Sequence, residues 1–245
     1  MTEIISEMRY SKERAQVLGK SMAYVDTDPG QKTGPDTFVF FHGNITSSYM
    51  WRNIMPHVKD KARCIAIDSI GQGDSEKLGN TDAGYYRLEE HPRYVNGLLA
   101  EIGLEGPIIL MMHDWGVQLG TTWARETSAN IKGIAYTQGV MGNFGWDYWP
   151  PHVSDLMRRF KSDEGEELVL QQNFFVEKIL PAMVIRDLPE EVLEEYRRPY
   201  RQAGEDRRPT LTWPREIPVE GEPADVLEII ETNNAWLMQN PVAKL

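Results

Sequence analysis

The sequence predicts an α/β fold in which a mostly parallel β-sheet carries helices on both faces. Short apolar runs at 37–41, 64–67, 108–112 and 131–138 have the length and composition of strands buried in a parallel sheet. Helical patterns separate these runs, and such alternation is typical of parallel strands joined by helices. With 245 residues, 41% of them hydrophobic, the chain is long enough to form one large core.

The remaining predicted elements follow in chain order. A first strand is predicted near Gln16 to Asp26, ahead of the buried runs, and a core helix at Pro223 to Gln239. From about Gly139 to Pro214 the strand–helix alternation stops, and helical stretches rich in aromatic and charged residues replace it. We therefore predict a helical cap at 139–214, inserted into a core that is formed by residues 1–138 and 215–245.

An acidic residue stands at a sharp turn after one of the buried strands. The apolar run that ends at Met112 is followed by His-Asp-Trp-Gly and then by a helical pattern from Val117 to Glu126. A strand, tight turn and helix in this order project the central side chain, here Asp114, above the sheet, as in α/β-hydrolases. An ionised carboxylate can attack a saturated carbon and expel a leaving group. The pattern therefore predicts displacement at carbon, with Asp114 as the nucleophile.

Five blocks of the sequence resemble those of haloalkane dehalogenases, a family of the α/β-hydrolase superfamily. In chain order they are HGNITSSYMW (42–51), IDSIGQGDSEK (67–77), HDWG (113–116), NFFVEKILP (173–181) and RRPTLTWPREIP (207–218). Together they span nearly the whole chain. The resemblance implies an α/β-hydrolase fold with an inserted cap, and a reaction in which an alkyl-enzyme ester forms and water then hydrolyses it to alcohol and halide.

The resemblance also implies a role for individual residues. Asp114 matches the nucleophile, and Asn44 and Trp115 match the residues whose side-chain N–H groups hold the departing halide. Neutral donors aimed at developing negative charge stabilise the transition state. The backbone N–H groups of Asn44 and Trp115 are expected to form the oxyanion hole. Gln138 stands at the position of a catalytic acid, and no metal or organic cofactor is expected.

Two features depart from the family's pattern. The family activates its water with a histidine near the C-terminus, whereas no histidine follows His152 here; the five are His42, His57, His91, His113 and His152. Strands seven and eight and the final helix are expected to be missing, so the chain is interpreted as a fragment or as an inactive relative. Such a chain is expected to alkylate itself once and then stop.

The second departure is Gln138, where the members with the most similar cap carry a glutamate. An amide oxygen can accept a hydrogen bond from a histidine, but it supplies no negative charge. Other branches of the family place an aspartate after the seventh strand, which would lie beyond Leu245. The identity of the catalytic acid therefore stays open.

Charge and composition exclude several classes of partner. A net charge of −11 argues against nucleic acid and anionic membrane surfaces. The sequence has no apolar run of the ~20 residues that cross a bilayer and no signal-peptide pattern after Met1, so we expect a cytoplasmic protein. The single cysteine, Cys64, excludes an internal disulfide. The expected partners are a small apolar halogenated substrate, a halide ion and water, acting on a monomer.

Two alternative functions share the same sequence pattern. Coelenterazine-oxidising luciferases of the sea pansy type resemble the chain in the HGN and HDWG blocks and in much of the cap, so a cofactor-independent monooxygenase is one alternative. A non-catalytic protein that binds apolar ligands is the other. Such a binder would keep its ligand affinity after Asp114 is replaced by alanine.

Overall fold

A seven-stranded sheet forms the centre of the molecule. The computed structural model describes residues 4–30, 33–79, 84–127 and 129–245. The strand order is β1-β2-β4-β3-β5-β6-β7. The pairs β1–β2 and β2–β4 are antiparallel, and the remaining pairs, from β4–β3 to β6–β7, are parallel. The strands are β1 (Lys12–Val17), β2 (Lys20–Asp26), β3 (Thr37–Phe41), β4 (Arg63–Ile67), β5 (Ile108–His113), β6 (Ile131–Thr137) and β7 (Ala243–Lys244). The predicted α/β fold is confirmed.

The N-terminal part of the sheet corrects one prediction. A single strand was predicted near Gln16 to Asp26, but the chain forms a hairpin in which Val17 pairs with Lys20. Leu18 and Gly19 make the turn with φ values of 51° and 77°. Two-residue turns with positive φ at both positions match the twist of antiparallel strands, so glycine at the second position favours the hairpin.

The C-terminal end of the chain corrects another prediction. The sequence led us to expect a sheet without strands seven and eight, but Ala243 and Lys244 form the short β7, which pairs in parallel with Gly133 and Ile134 of β6. The Leu245 carbonyl also accepts a hydrogen bond from the Tyr136 N–H at 3.0 Å. The seventh strand is therefore present as a two-residue element.

Helices cover both faces of the sheet. Side chains of successive strand residues point to opposite faces, so Val39 and Phe41 pack under the long helices while Phe40 packs under short helical turns near Trp51. The α-helices are α1 (His91–Ile102), α2 (Gly116–Glu126), α3 (Pro151–Lys161), α4 (Leu180–Met183), α5 (Glu190–Arg197), α6 (Arg208–Glu216) and α7 (Ala224–Gln239). No helix among the described residues is long and apolar enough to span a bilayer.

The helical segment between β6 and α7 has its own apolar cluster. Phe160, Val169, Val176 and Leu211 are among its buried members, which come from α3, α6 and two π-helical turns at Glu166–Gln171 and Phe175–Ile179. The buried guanidinium of Arg207 connects two stretches of this segment. It donates hydrogen bonds to the carbonyls of Leu170, Gln171, Tyr200 and Arg201. The predicted cap boundaries, 139–214, stay a prediction.

A partly buried ion network attaches this helical segment to the core. Arg198, at the end of α5, donates to both carboxylate oxygens of Asp74 at 2.6 and 2.8 Å. Lys12 of β1 bridges Asp74 and the fully buried Asp68. Burial opposes the ionisation of Asp74, but hydrogen bonds from Arg198 and Lys12 hold its pKa well below the usual value. The Asp74 carboxylate is therefore charged and joins three parts of the chain.

We predict that Arg198→Met lowers the free energy of unfolding by about 1 to 2 kcal/mol, because it removes a bidentate partner from a partly buried carboxylate. Chemical denaturation measures the change. The matched control is Arg201→Met, since the Arg201–Glu194 pair is exposed on the same helical segment. The control should change stability by less than about 0.5 kcal/mol. Equal effects of the two substitutions would contradict a special role for the Arg198–Asp74 pair.

Candidate active site

Asp114 occupies a strained turn between β5 and α2. Its φ is 53°, a left-handed conformation that non-glycine residues rarely adopt. The turn also needs a glycine two residues later, because a Cβ on Gly116 would lie 2.4 Å from the Phe41 carbonyl oxygen. The Asp114 N–H is satisfied by the Thr137 carbonyl of β6 at 3.2 Å. This turn at residues 113–116, called the elbow below, is thus held between the C-terminal ends of β3 and β6.

The turn after β3 meets the Asp114 carboxylate directly. Asn44 donates its backbone N–H to Oδ2 of Asp114 at 2.8 Å. The backbone N–H of Trp115, the residue after the nucleophile, is near enough to this carboxyl group to lower its pKa. A Cβ on Gly43 would lie only 2.1 Å from Oδ2, so only glycine permits this approach. The structure therefore brings Asp114 together with the two N–H groups that the sequence predicted for an oxyanion hole.

Burial and hydrogen bonding act in opposite directions on Asp114. Burial raises the pKa of the carboxyl group, while the Asn44 N–H, the nearby His113 ring and the Trp115 N–H oppose that rise. A carboxylate with little solvation and a few oriented donors has electron density available for attack. The site therefore favours a nucleophilic role for Asp114 over that of a helix-terminal surface acid.

Hydrogen bonds hold the Asn44 side-chain amide at both its oxygen and its nitrogen. Its Oδ1 accepts the N–H of Ile45 at 2.8 Å, so the amide nitrogen points in the other direction. That nitrogen donates to the carbonyl of Thr210 in α6 at 3.3 Å. One further N–H of the amide is available for a ligand. Asn44 therefore links the core turn to the helical segment above it.

Trp115 lies at the base of an aromatic stack. Its ring is buried and stacks on Trp213 of α6 with 4.9 Å between centroids, and Trp213 stacks on His91 at 4.4 Å. Burial lowers the pKa of His91 to about 3, so its ring is neutral. The stack fixes the plane of the Trp115 indole without placing a charge beside it.

Gln138 lies on the loop after β6 with a φ of 53°. Its side-chain oxygen pairs with Nε2 of His113 at 2.9 Å, and Gln138 itself is exposed. Thr137, the preceding residue, contacts the elbow through its backbone. The amide at the predicted acid position therefore does accept a hydrogen bond from a histidine, and that histidine is His113.

Several neighbours of the site were not singled out from the sequence. Gly43 and Thr210 belong to blocks that carry the family resemblance, but no spacing rule indicated that one would admit the carboxylate and the other accept from Asn44. No role for His91 was predicted from the sequence. Its place in the stack depends on how α1 and α6 pack, which local sequence does not encode.

The chain is similar to known proteins over most of its length. The profile of a family described as the alpha/beta hydrolase fold matches residues 36–171. A haloalkane dehalogenase from Sphingobium indicum is 44% identical over 234 residues, which make up 96% of this chain and 77% of that protein. A coelenterazine h 2-monooxygenase from Renilla reniformis is 40% identical over 227 residues, or 92% of this chain and 71% of that protein.

The similarity extends to solved structures. The crystal structure of the haloalkane dehalogenase DbeA from Bradyrhizobium elkani USDA94 superposes with a TM-score of 0.87 at 35% identity. The match covers 96% of this chain and 78% of that chain. The fold described above, including the helical segment, is therefore similar to that of DbeA over most of this chain.

We predict that Gly43→Ala lowers the free energy of unfolding by about 1 to 3 kcal/mol, because the new methyl group overlaps the Asp114 carboxylate and forces the two turns apart. Thermal or chemical denaturation measures the loss. Gly142→Ala is the control, since a Cβ there meets nothing within 4 Å. A Gly43→Ala protein that is as stable as the control would contradict the close approach.

Proposed function

The chain belongs to the haloalkane dehalogenase family of α/β-hydrolases, and we propose that Asp114, Asn44 and Trp115 carry its reaction. That reaction is the cleavage of a carbon–halogen bond by carboxylate attack. The observation that carries the proposal is the hydrogen bond of 2.8 Å between the Asn44 N–H and one oxygen of Asp114. It divides the carboxylate into a held oxygen and an attacking oxygen.

In the first half-reaction, Oδ1 of Asp114 attacks the carbon that bears the halogen. The carbon–halogen bond breaks as the carbon–oxygen bond forms, and the halide leaves with the electron pair. Oδ2 stays on the N–H of Asn44, with the Trp115 N–H nearby, and becomes the carbonyl oxygen of the alkyl ester. The oxygen that develops negative charge when water later attacks this ester is therefore already in place.

The leaving halide is proposed to bind between two neutral donors. The two donors are the second N–H of the Asn44 amide and the indole N–H of Trp115, and both belong to residues that the surrounding contacts orient. Neutral donors in a site with little water stabilise an anion at low reorganisation cost. They also release halide more readily than a fixed cation would.

The second half-reaction needs a general base for the attacking water. Nε2 of His42 already accepts the Ser69 N–H at 2.9 Å. Nε2 of His113 pairs with Gln138, and its Nδ1, which has no hydrogen-bond partner among the described residues, is buried away from solvent. His91 is buried in the aromatic stack, and His57 and His152 lie on the surface. A base must reach the ester water within hydrogen-bond distance. We therefore propose that these 245 residues perform the first half-reaction faster than the second.

The helical segment is proposed to act as the cap over the site, with limits near 139 and 214. The contact of Asn44 with Thr210 and the stack of Trp115 on Trp213 support this placement. A haloalkane offers little to hydrogen-bond, so apolar burial must hold it. We also propose that the protein acts as a monomer in the cytoplasm, where the single thiol, Cys64, would stay reduced.

The 40% identity with the Renilla reniformis monooxygenase favours oxidation of coelenterazine as a second candidate function. Light emission with coelenterazine, measured beside halide release from a bromoalkane, distinguishes the two. A protein that emits light and never changes mass with bromoalkanes would support the monooxygenase.

We predict that incubation with 1-bromobutane adds one butyl group to the protein and releases about one bromide per chain. Intact-mass spectrometry and peptide mapping should place the adduct on Asp114. Asp114→Asn should show neither adduct nor bromide, because an amide is a poor nucleophile. Release of many bromides per chain would show that another residue activates the ester water.

We predict that Trp115→Phe slows this alkylation about 100-fold or more, since the ring is retained and the halide donor is lost. Stopped-flow bromide release measures the rate. Trp236→Phe in α7 is the control, because it makes a similar change in the core away from the elbow. Equal rates in the Trp115→Phe and control proteins would remove Trp115 from the halide site.

A further inference from the structure

One peptide group connects the candidate site to the loops behind it. The carbonyl of Gly43 and the N–H of Asn44 belong to the same planar peptide unit. On one side the N–H donates to Oδ2 of Asp114 at 2.8 Å. On the other side the carbonyl oxygen lies 2.8 Å from Nδ1 of His42 and accepts from the Thr46 hydroxyl at 3.1 Å. This peptide is therefore hydrogen-bonded at both ends.

The proton position on His42 follows from its second partner. Ser69 can only donate through its backbone N–H, which lies 2.9 Å from Nε2 of His42. Nε2 must therefore be unprotonated, and the ring hydrogen resides on Nδ1, from which it donates to the Gly43 carbonyl. Burial lowers the pKa of His42 to about 4, so the ring keeps this neutral form at physiological pH.

Thr46 supplies the second donor. Its hydroxyl has one hydrogen, and the nearest strong acceptor is the Gly43 oxygen; the Met50 sulfur at 3.5 Å is a weaker acceptor. Both donors are buried, where competition from solvent is small. The carbonyl oxygen has two lone pairs, and each of them has a partner.

We propose that His42 and Thr46 are positioning residues that orient and polarise the Gly43–Asn44 peptide, so that its N–H holds Oδ2 of Asp114. Hydrogen bonds in series polarise one another, so donors on the carbonyl strengthen the N–H at the other end. They also prevent rotation of the peptide plane at a glycine, the residue that restricts it least. The inference rests on the proposed function only for its kinetic consequence.

Among the described residues, the charged or titratable side chains that act on His42 are Asp68, Lys12 and His113. Asp68 and Lys12 form an ion pair of 2.6 Å with each other. His113 lies beside both Asp114 and His42. Substitutions at Thr46 leave all of these groups in place, so they isolate the effect of the hydroxyl.

The first experiment compares Thr46→Val with Thr46→Ser. Valine has the shape of threonine without the donor, whereas serine keeps the hydroxyl. The pKa of Asp114 is measured by 13C NMR of carboxyl-labelled aspartate, with Asp114→Asn to assign the signal. A weaker N–H stabilises the carboxylate less, so Thr46→Val should raise the pKa of Asp114 by about half a pH unit, or a threefold change in the acid constant. Thr46→Ser should leave it within error of the unmodified protein.

The second experiment separates the two nitrogens of His42. The amide nitrogen of His42→Asn lies near the Nδ1 position and keeps a donor toward Gly43, whereas His42→Gln reaches the Nε2 position and keeps only a partner for Ser69. The pKa of Asp114 should therefore rise more in His42→Gln than in His42→Asn. If His42 served only to fill space, the two substitutions would have equal effects.

The kinetic consequence is tested with 1-bromobutane. Thr46→Val should slow alkylation at saturating bromobutane about three- to tenfold, because a carboxylate that the Asn44 N–H holds less firmly is aligned with the substrate carbon less often. The half-saturating concentration should stay unchanged. Since alkylation needs the ionised carboxylate, the rate falls as pH falls through the pKa of Asp114, and this fall should move to higher pH in Thr46→Val.

The outcomes keep the two proposals apart. An unreactive parent protein would contradict the proposed function, while the NMR titration, which uses no haloalkane, would still decide the positioning role. Equal Asp114 pKa values in Thr46→Val, Thr46→Ser and the parent protein would overturn the positioning role, even if the parent is alkylated.

Discussion

The contact between the turn after β3 and the Asp114 carboxylate is the constraint on which the rest of the site depends. Neighbouring parallel strands end at the same edge of a sheet, so β3 and β5 deliver their turns to one place. The turns can meet only because Gly43 and Gly116 leave space for a carboxylate and for two carbonyls. The positive φ of Asp114 is maintained by these contacts, and it is this conformation that points the carboxylate at the Asn44 N–H.

Further hydrogen bonds, an ion pair and aromatic contacts hold the two turns in place. Hydrogen bonds from His42 and Thr46 fix the turn from behind, and the Ser69 N–H fixes His42. Ser69 is followed by the loop that contains Asp74, where the ion pair with Arg198 attaches the helical segment. Above the site, α6 contributes the Thr210 carbonyl and the Trp213 ring. The contacts of Asn44 with Thr210 and of Trp115 with Trp213 therefore both orient the proposed site residues and attach the helical segment to the core.

The sequence predicted the parallel strands and the nucleophile turn to within a residue or two, because buried apolar runs and tight turns are local signals. It missed the division of the first strand at Leu18, where one positive-φ residue sits beside a single glycine, and it missed the two-residue β7, which is too short to show a pattern. The strand–turn–helix pattern predicted Asp114, and the family resemblance added Asn44 and Trp115; the structure brings the three together. The Gly43 carbonyl's two donors and the His91–Trp213–Trp115 stack could not be predicted, because they depend on how distant loops and helices pack.

The Asn44 N–H holds one oxygen of Asp114, and we propose that the other oxygen attacks the substrate carbon. A high-resolution crystal structure of the protein after reaction with a bromoalkane would show which oxygen carries the alkyl group. We expect density for an alkyl ester on Oδ1, with Oδ2 still within hydrogen-bond distance of the Asn44 N–H. An alkyl group on Oδ2, or on a residue other than Asp114, would contradict it.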